Sequence, residues 1–202
     1  MGRQRIVVLD MEGVVVPEIW VAVAERTGVE ALRRTTRDEP DYDVLMRYRL
    51  DLLAEHQLTM SLIAEVLTGL DPLPGARAFL DELRARHPVV LLSDTFEQFA
   101  TALAPKLGQP AILCHRLEVD GPTDRISGYH LRMPDQKRAA VEAFQSLAYE
   151  VRAAGDSYND TSMLLAADAG YLFRAPPNVI AEFPQLKALT DYDDLLACLS
   201  GP

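Results

Sequence analysis

Short apolar runs recur along this chain, and helical patterns fill the intervals between them. Ile6 to Leu9, Val89 to Leu92, Ala111 to Cys114, Val151 to Ala154 and Gly170 to Phe173 each read as a buried strand. Ala76 to Arg86, Phe96 to Leu107, Gln136 to Ala148 and Tyr158 to Ala166 carry apolar residues at helical spacing, and two short helices are expected to close the chain. Leu117 to Val119 and Tyr129 to Leu131 read as a small hairpin around Asp120-Gly121. Such alternation predicts an α/β fold, a doubly wound, largely parallel sheet with helices on both faces.

One stretch breaks the rhythm. From Glu18 to about Thr68, Trp20 to Ala24, Tyr42 to Leu53 and Ser61 to Leu67 are helical patterns with no strand among them. Pro17 opens this block, and Pro72, Pro74 and Gly75 close it. The expected division is an α/β core of residues 1–16 and 72–202, with an all-helical subdomain, residues 17–71, inserted after the first strand.

On a doubly wound sheet, ligands bind outside the carboxyl ends of the strands. Asp10, the segment Ser93-Asp94-Thr95, and Asp156 each follow directly on an expected strand, so the fold would gather them at one edge. The first strand ends in two acids, Asp10 and Glu12, just before Gly13. Burying a carboxylate is costly unless it is paired or bound to a cation. A strand running into a solvated turn would explain this segment alone, but Gly155-Asp156-Ser157-Tyr158-Asn159-Asp160 repeats the arrangement near the far end.

Composition narrows the partners. The chain has 202 residues, 49% of them hydrophobic and 25% charged, enough for one sizeable core plus an insertion. Its formal net charge of -10 argues against a nucleic acid or an acidic membrane as partner. An acidic protein still binds phosphate where a metal and local cations offset its charge. Cys114 and Cys198 have neither metal-ligand spacing nor a disulfide framework, which fits a reduced, cytoplasmic setting. Asp10 and Glu12 interrupt the long apolar stretch near the N-terminus, against a membrane span or a signal peptide, and Ile6 spoils a myristoylation pattern.

The residue types point to phosphoryl chemistry. Carboxylates from two strand ends, Asp10 and Asp156, are the hard oxygen ligands that Mg²⁺ favours. An Asp neutralised by a metal can attack phosphorus. A hydroxyl (Ser93), backbone N–H groups at a helix start and one lysine should surround the phosphate. Lys137, opening a helix after Pro134-Asp135, supplies that cation, with Arg138 as a rival and an exposed lysine as the plainer reading. Asp94 could instead cap the following helix, as could Asn159 and Asp160.

Asp10-Met11-Glu12-Gly13-Val14, Ser93-Asp94-Thr95, Lys137 and Gly155-Asp156-Ser157-Tyr158-Asn159-Asp160 resemble, in order, the four motifs of the haloacid dehalogenase superfamily. The insertion after the first motif looks like the cap of its phosphoserine phosphatase branch. Asp10-x-Glu12-Gly13-Val14-x-Val16-Pro17-Glu18-Ile19-Trp20, Pro40-Asp41-Tyr42-Asp43-Val44-Leu45-Met46 and Leu92-Ser93-Asp94-Thr95-Phe96 resemble the bifunctional phosphoserine phosphatase/homoserine phosphotransferase type of the threonine pathway. The resemblance implies Asp10 as nucleophile and Mg²⁺ ligand. Glu12 would be the general acid/base, with its backbone carbonyl on the metal. Ser93 and Lys137 are implied at the phosphoryl group, Asp94 and Thr95 among the substrate-binding residues, Asp156 on Mg²⁺, Asp160 supporting it, and Asn159 lining the site. Glu18 resembles the acid that receives the substrate ammonium, and Arg49 the residue that receives its carboxylate. Phosphoserine is the implied substrate, homoserine a second acceptor, and a homodimer the implied assembly.

Glu18 beside Pro17 could equally favour the positive end of a helix, and Arg49 could sit on a solvated helical face. Trp20, Met46 and Phe96 fit a cap interface or plain core. The superfamily usually has Asp where this chain has Glu12, and the phosphoserine phosphatases commonly have glycines where it has Asp94-Thr95. Competing readings are a phosphatase or phosphomutase for another small metabolite, against which Glu18 and Arg49 argue, and a non-enzymatic domain, against which Asp10, Lys137 and Asp156 argue.

Overall fold

The computed structural model describes residues 2–35, 38–39 and 41–201; Pro40 of the segment Pro40 to Met46 lies outside them. The strands are β1 (Arg5–Leu9), β2 (Val89–Phe96), β3 (Ala111–Asp120), β4 (Arg125–His130), β5 (Glu150–Gly155), β6 (Ala169–Phe173) and β7 (Lys187–Leu189). They form one sheet in the order β4-β3-β2-β1-β5-β6-β7, parallel throughout except between β3 and β4. The helices are α1 (Ile19–Thr27), α2 (Tyr42–Glu55), α3 (Met60–Gly69), α4 (Ala76–Arg84), α5 (Glu97–Leu103), α6 (Gln136–Ser146), α7 (Thr161–Ala166), α8 (Pro177–Glu182) and α9 (Tyr192–Ser200).

β1 is central because its sequence is apolar on both faces. Successive strand side chains point to opposite sides. Val7 and Leu9 accordingly pack with Phe79, Leu80, Phe99 and Leu195, whereas Ile6 and Val8 pack with Val141, Met163, Leu164 and Val179. From β1 the chain adds β2 and β3 on one side and returns to place β5 on the other. The strand order therefore reverses between β1 and β5, where such sheets open a crevice for ligands. Asp10 leaves that crevice's rim directly: its N–H donates to the Ala154 carbonyl of β5 at 2.9 Å.

Between β1 and β2 the described residues hold helices and no strand. The N–H groups of Val15 and Val16 both donate to the Met11 carbonyl, at 2.9 and 3.0 Å, which turns the chain sharply out of β1. Leu73 N–H donates to the Val15 carbonyl at 3.0 Å, so the helical stretch leaves and re-enters at one place. Asp41 and Thr59 start α2 and α3 by accepting the N–H groups of Val44 (3.1 Å) and Leu62 (3.3 Å). The stretch is tied to the β3–β4 hairpin: Met60 and Ser61 donate their N–H groups to the Asp124 carbonyl (2.9 Å) and carboxylate (2.8 Å). Tyr129 of the hairpin donates its hydroxyl to the Asp43 carboxylate of α2.

Several boundaries differ from the sequence expectation. Ser93, Asp94 and Thr95 lie within β2, in a stretch whose register against β3 shifts between Leu92 and Phe96. The helix expected to run to Leu107 ends at Leu103: Ala104 still donates to the Ala100 carbonyl at 2.8 Å, but Pro105 has no N–H to carry the ladder on. The two segments expected over 111–119 are one strand, β3, and 158–160 is a 3-10 turn that precedes α7. β7 has only three residues, too short for a periodicity to show. Among the described residues no helix is long and apolar enough to cross a membrane.

Candidate active site

Two glycines let the crevice close around its acids. Gly13 has φ +76°, and a Cβ there would run into the Asp156 carboxylate; a Cβ on Gly155 would run into the Asp160 side chain. Oxygens of Asp10, Asp156 and Asp160, all buried, consequently lie within 4.8 Å of one another. Asp160 is the most enclosed. One of its oxygens accepts the N–H groups of Asp156 (2.9 Å) and Ser157 (3.1 Å), completing a reciprocal cap with Ser157 at the 3-10 turn. Its other oxygen meets Lys137 Nζ at 2.7 Å.

Lys137 enters from the first turn of α6 and is 2% exposed, so its ammonium depends on these partners. Nζ stands 2.7 Å from Asp10 Oδ1 and 3.4 Å from Asp94 Oδ2 in addition to its contact with Asp160. Burial alone would lower its pKa, but Asp10, Asp160 and Asp94 more than offset that and raise it well above the ordinary lysine value. Asp10 is raised well above the usual carboxylate range, first by burial and then by the charges of Asp160 and Asp156, against the pull of Lys137. Three clustered carboxylates with one lysine between them make a donor set suited to a hard divalent cation. Arg138, the rival cation, is on the outside of α6 and pairs with Glu142 at 2.7 Å.

A small cavity of ≈ 70 Å³ opens beside these groups. Asp10, Glu12, Glu18, Arg49, Ser93, Asp94, Lys137, Asp156 and Asn159 all line it, together with Trp20, Thr35, Tyr42 and Ser157. Thr95 and Asp160 do not. Thr95 contributes its backbone instead, donating its N–H to Ser93 Oγ at 3.2 Å. That leaves the Ser93 hydroxyl proton available for an incoming acceptor.

Glu12 lines the same cavity but is not part of the acid cluster. Its Oε2 accepts the Ile19 N–H at 2.9 Å, so it, and not Glu18, binds the open end of α1. Burial and the Glu18 charge push its carboxyl up to about 7, against the Ile19 N–H, Arg49 and Lys137. Arg49 belongs to the buried stripe of α2 with Leu45, Met46 and Leu53, not to a solvated face. Its guanidinium lies 4.5 Å from the Trp20 ring centroid and donates to the Arg34 carbonyl at 2.9 Å. Arg49 Nε is buried and has no hydrogen-bond partner, and burial lowers the pKa to about 10. Of the residues expected at an interface, Trp20 lines the cavity, while Met46 and Phe96 are wholly buried core.

Asp94 does not cap α5, which begins after Phe96 without a side-chain cap. Its carboxylate accepts Asn159 Nδ2 (2.8 Å) and Gln136 Nε2 (3.0 Å), and its carbonyl accepts the Tyr42 hydroxyl (2.9 Å). Burial would raise its pKa, but Lys137 and hydrogen bonds from His115, Asn159 and Gln136 hold it well below the usual range. Tyr42, His115 and Gln136 were not among the expected site residues. Tyr42 had a signal, since it lies seven residues before Arg49 on the same face of α2. A second cavity of ≈ 460 Å³ adjoins the first across Asp94 and Asn159, with His115, Leu131, Met133 and Tyr158 in its wall.

Comparison with known proteins fits this geometry. Residues 10–165 match the haloacid dehalogenase-like hydrolase family. Phosphoserine phosphatase ThrH of Pseudomonas aeruginosa is 58% identical over 191 residues, covering 95% of this chain and 93% of that protein. A phosphoserine phosphatase of Pseudomonas syringae pv. tomato is 58% identical over 191 residues, 95% of this chain and 80% of its own length. Among solved structures, a phospho-aspartyl intermediate analogue of phosphoserine phosphatase matches with a TM-score of 0.79 at 20% identity, covering 97% of this chain and 99% of that one. The match to the family runs from Asp10 past Lys137 and Asp160, the residues that meet at the crevice, and the chain belongs to the haloacid dehalogenase-like hydrolases.

Proposed function

We propose that the chain is a Mg²⁺-dependent phosphoserine phosphatase that carries the phosphoryl group on Asp10 and passes it to water or to homoserine. The observation that carries this reading is one cavity lined both by phosphoryl machinery (Asp10, Ser93, Lys137) and by Glu18 and Arg49. Phosphoserine has an ammonium and a carboxylate beyond its phosphate, and an acid and an arginine are the complementary pair. The buried, partnerless Arg49 Nε is a donor that a substrate carboxylate would satisfy. The relatives named phosphoserine phosphatase, at 58% identity, support the same substrate.

In this reading, Asp10 attacks phosphorus, the bond to the seryl oxygen breaks, and Glu12 gives that oxygen its proton. Water then attacks the phosphoryl group, the bond to Asp10 breaks, and Glu12 takes the proton back. A carboxyl near 7 suits both directions. Lys137 and the Ser93 hydroxyl hold the phosphoryl oxygens. Asp10, Asp156 and, from behind, Asp160 would hold Mg²⁺, which when bound neutralises the repulsion between Asp10 and phosphate. Residues 17–71 act as a cap on the core of residues 1–16 and 72–202, a reading in keeping with the bond from Leu73 to Val15 where the stretch rejoins. Homoserine would fit the same Glu18–Arg49 pair as serine, with its hydroxyl one carbon further out.

The test is phosphate release with Mg²⁺ over phosphorylated amino acids and sugar phosphates, with and without homoserine. The reading expects phosphoserine to be the best substrate and O-phosphohomoserine to form when homoserine is present. It also expects Glu12→Asp to lower the ratio of O-phosphohomoserine to free phosphate, since the longer acid suits an acceptor held at its amino-acid end. A sugar phosphate turned over fastest would overturn the substrate. An absence of O-phosphohomoserine would remove the transfer.

A further inference from the structure

Lys137 has a third carboxylate within reach that it does not fully engage. Asp94 Oδ2 stands 3.4 Å from Nζ, against 2.7 Å for Asp10 and for Asp160. Asp94 Oδ1 faces the other way, towards Gln136 Nε2 at 3.0 Å and His115 Nε2 at 3.5 Å. Both donors are themselves oriented by Arg132. The Arg132 N–H donates to His115 Nδ1 at 3.1 Å, so the ring proton belongs on Nε2, towards Asp94. The Arg132 side chain donates Nε to Gln136 Oε1 at 3.0 Å. Gln136 then has its NH₂ turned to the Ser93 carbonyl, 2.6 Å, and to Asp94. A flipped amide would set its oxygen against two acceptors. Gln136 and His115 are 3% and 5% exposed, and solvent does not replace them.

We propose that Gln136, assisted by His115, is a positioning residue that anchors Asp94 away from Lys137, so that the lysine stays on Asp10 and the phosphoryl group while Asp94 Oδ2 holds Asn159. The proposal rests on the phosphatase reading. Without the anchor, the Asp94 carboxylate would close on Lys137, because an ionised pair in a buried site gains from every shortening. Asn159, held to Asp94 at 2.8 Å, would shift with it. Lys137 acts on the phosphoryl group and not on the amino-acid end of the substrate. The loss should therefore fall on kcat and spare KM.

The experiment compares wild type with Gln136→Met, His115→Phe, Asp94→Ala and the Gln136→Met/Asp94→Ala double variant. Phenylalanine at 115 keeps the ring contacts with Tyr42 and Phe96. Steady-state kinetics on phosphoserine and on p-nitrophenyl phosphate, with melting temperatures as the folding check, give the readout. Gln136→Met should lower kcat about tenfold, with KM for phosphoserine changed less than about twofold, and His115→Phe should do the same more weakly. In the double variant the loss from Gln136→Met should vanish, since its target carboxylate is gone. A wild-type kcat in Gln136→Met, a raised KM in its place, or losses that multiply in the double variant would each overturn the proposal. Should Asp94→Ala be too slow to follow, the division between kcat and KM in Gln136→Met decides. Wild-type turnover of p-nitrophenyl phosphate but not of phosphoserine would sink the substrate reading alone, and the comparison would proceed on that ester.

Discussion

Glu12 Oε2 and the Ile19 N–H meet at 2.9 Å, so the acid that follows β1 also binds the start of α1. The acid/base role proposed for Glu12 and the seating of α1 would thus share one carboxyl, held up to about 7 chiefly by burial. Between its ordinary value of 4.5 and about 7, the folded protein keeps a proton that the unfolded chain has released. Stability contributed by that proton is complete below the lower value and declines as pH rises through the window, by a total on the order of 3 kcal/mol. Glu12→Gln in metal-free protein should therefore raise the melting temperature at pH 8 by several degrees and change it little at pH 5. Thermal unfolding at both values checks this, and an equal effect at the two pH values would contradict it.

Gly155 leaves room for the Asp160 side chain that receives Lys137. Gly155→Ala should push Asp160 aside, destabilise the protein by about 1–3 kcal/mol and depress phosphate release by much more than Gly121→Ala, where a Cβ meets nothing within 4 Å. Denaturant midpoints and kinetics on the two variants decide. Unimpaired turnover in Gly155→Ala would mean that Asp160 need not be held so closely.

The cluster of Asp10, Asp156 and Asp160 should bind Mg²⁺ at the expense of the unfolded state. At a hundredfold excess over Kd the stabilisation is about 2.7 kcal/mol, a rise in melting temperature on the order of 5–10 °C. EDTA should reverse it and silence phosphate release. Asp156→Asn should lose the Mg²⁺-dependent rise without lowering the metal-free melting temperature, since like charges are relieved. The same rise in the variant would place the cation elsewhere.

Arg49→Ala and Glu18→Ala should each raise KM for phosphoserine about 30-fold or more, the loss of a charged partner in an enclosed site costing about 2–5 kcal/mol. For a phosphate ester without an amino-acid end the change should be small. Equal effects on both substrates would mean that the two residues support the helices and do not read the ligand.

The sequence carried the frame and most of the cavity wall. Asp10 and Asp156 were legible because strand ends are set by local apolar runs, whereas the pairing of β1 with β5 is a long-range arrangement that those runs do not give. Lys137 was legible as the opening of a helix. The burial of Arg49 was not legible from its neighbours Arg47 and Tyr48, because it depends on Trp20 lying against it from α1. Gln136 and His115 look like an ordinary helix-start amide and a strand histidine. Their meeting at Asp94 requires the loop carrying Arg132 to fold between them, a long-range arrangement with no local pattern. The rank of Glu12 over Glu18 at the start of α1 was hidden likewise, since it depends on the sharp turn at Met11.

The central claim is that phosphoserine phosphorylates Asp10. Enzyme turning over phosphoserine in Mg²⁺ is quenched in acid and its peptides are analysed by mass spectrometry. The account predicts one added phosphoryl group on the peptide containing Asp10, absent from Asp10→Asn, which should stay folded and release no phosphate. Steady phosphate release with no phosphoryl group on that peptide, or with the group on another residue, would contradict it.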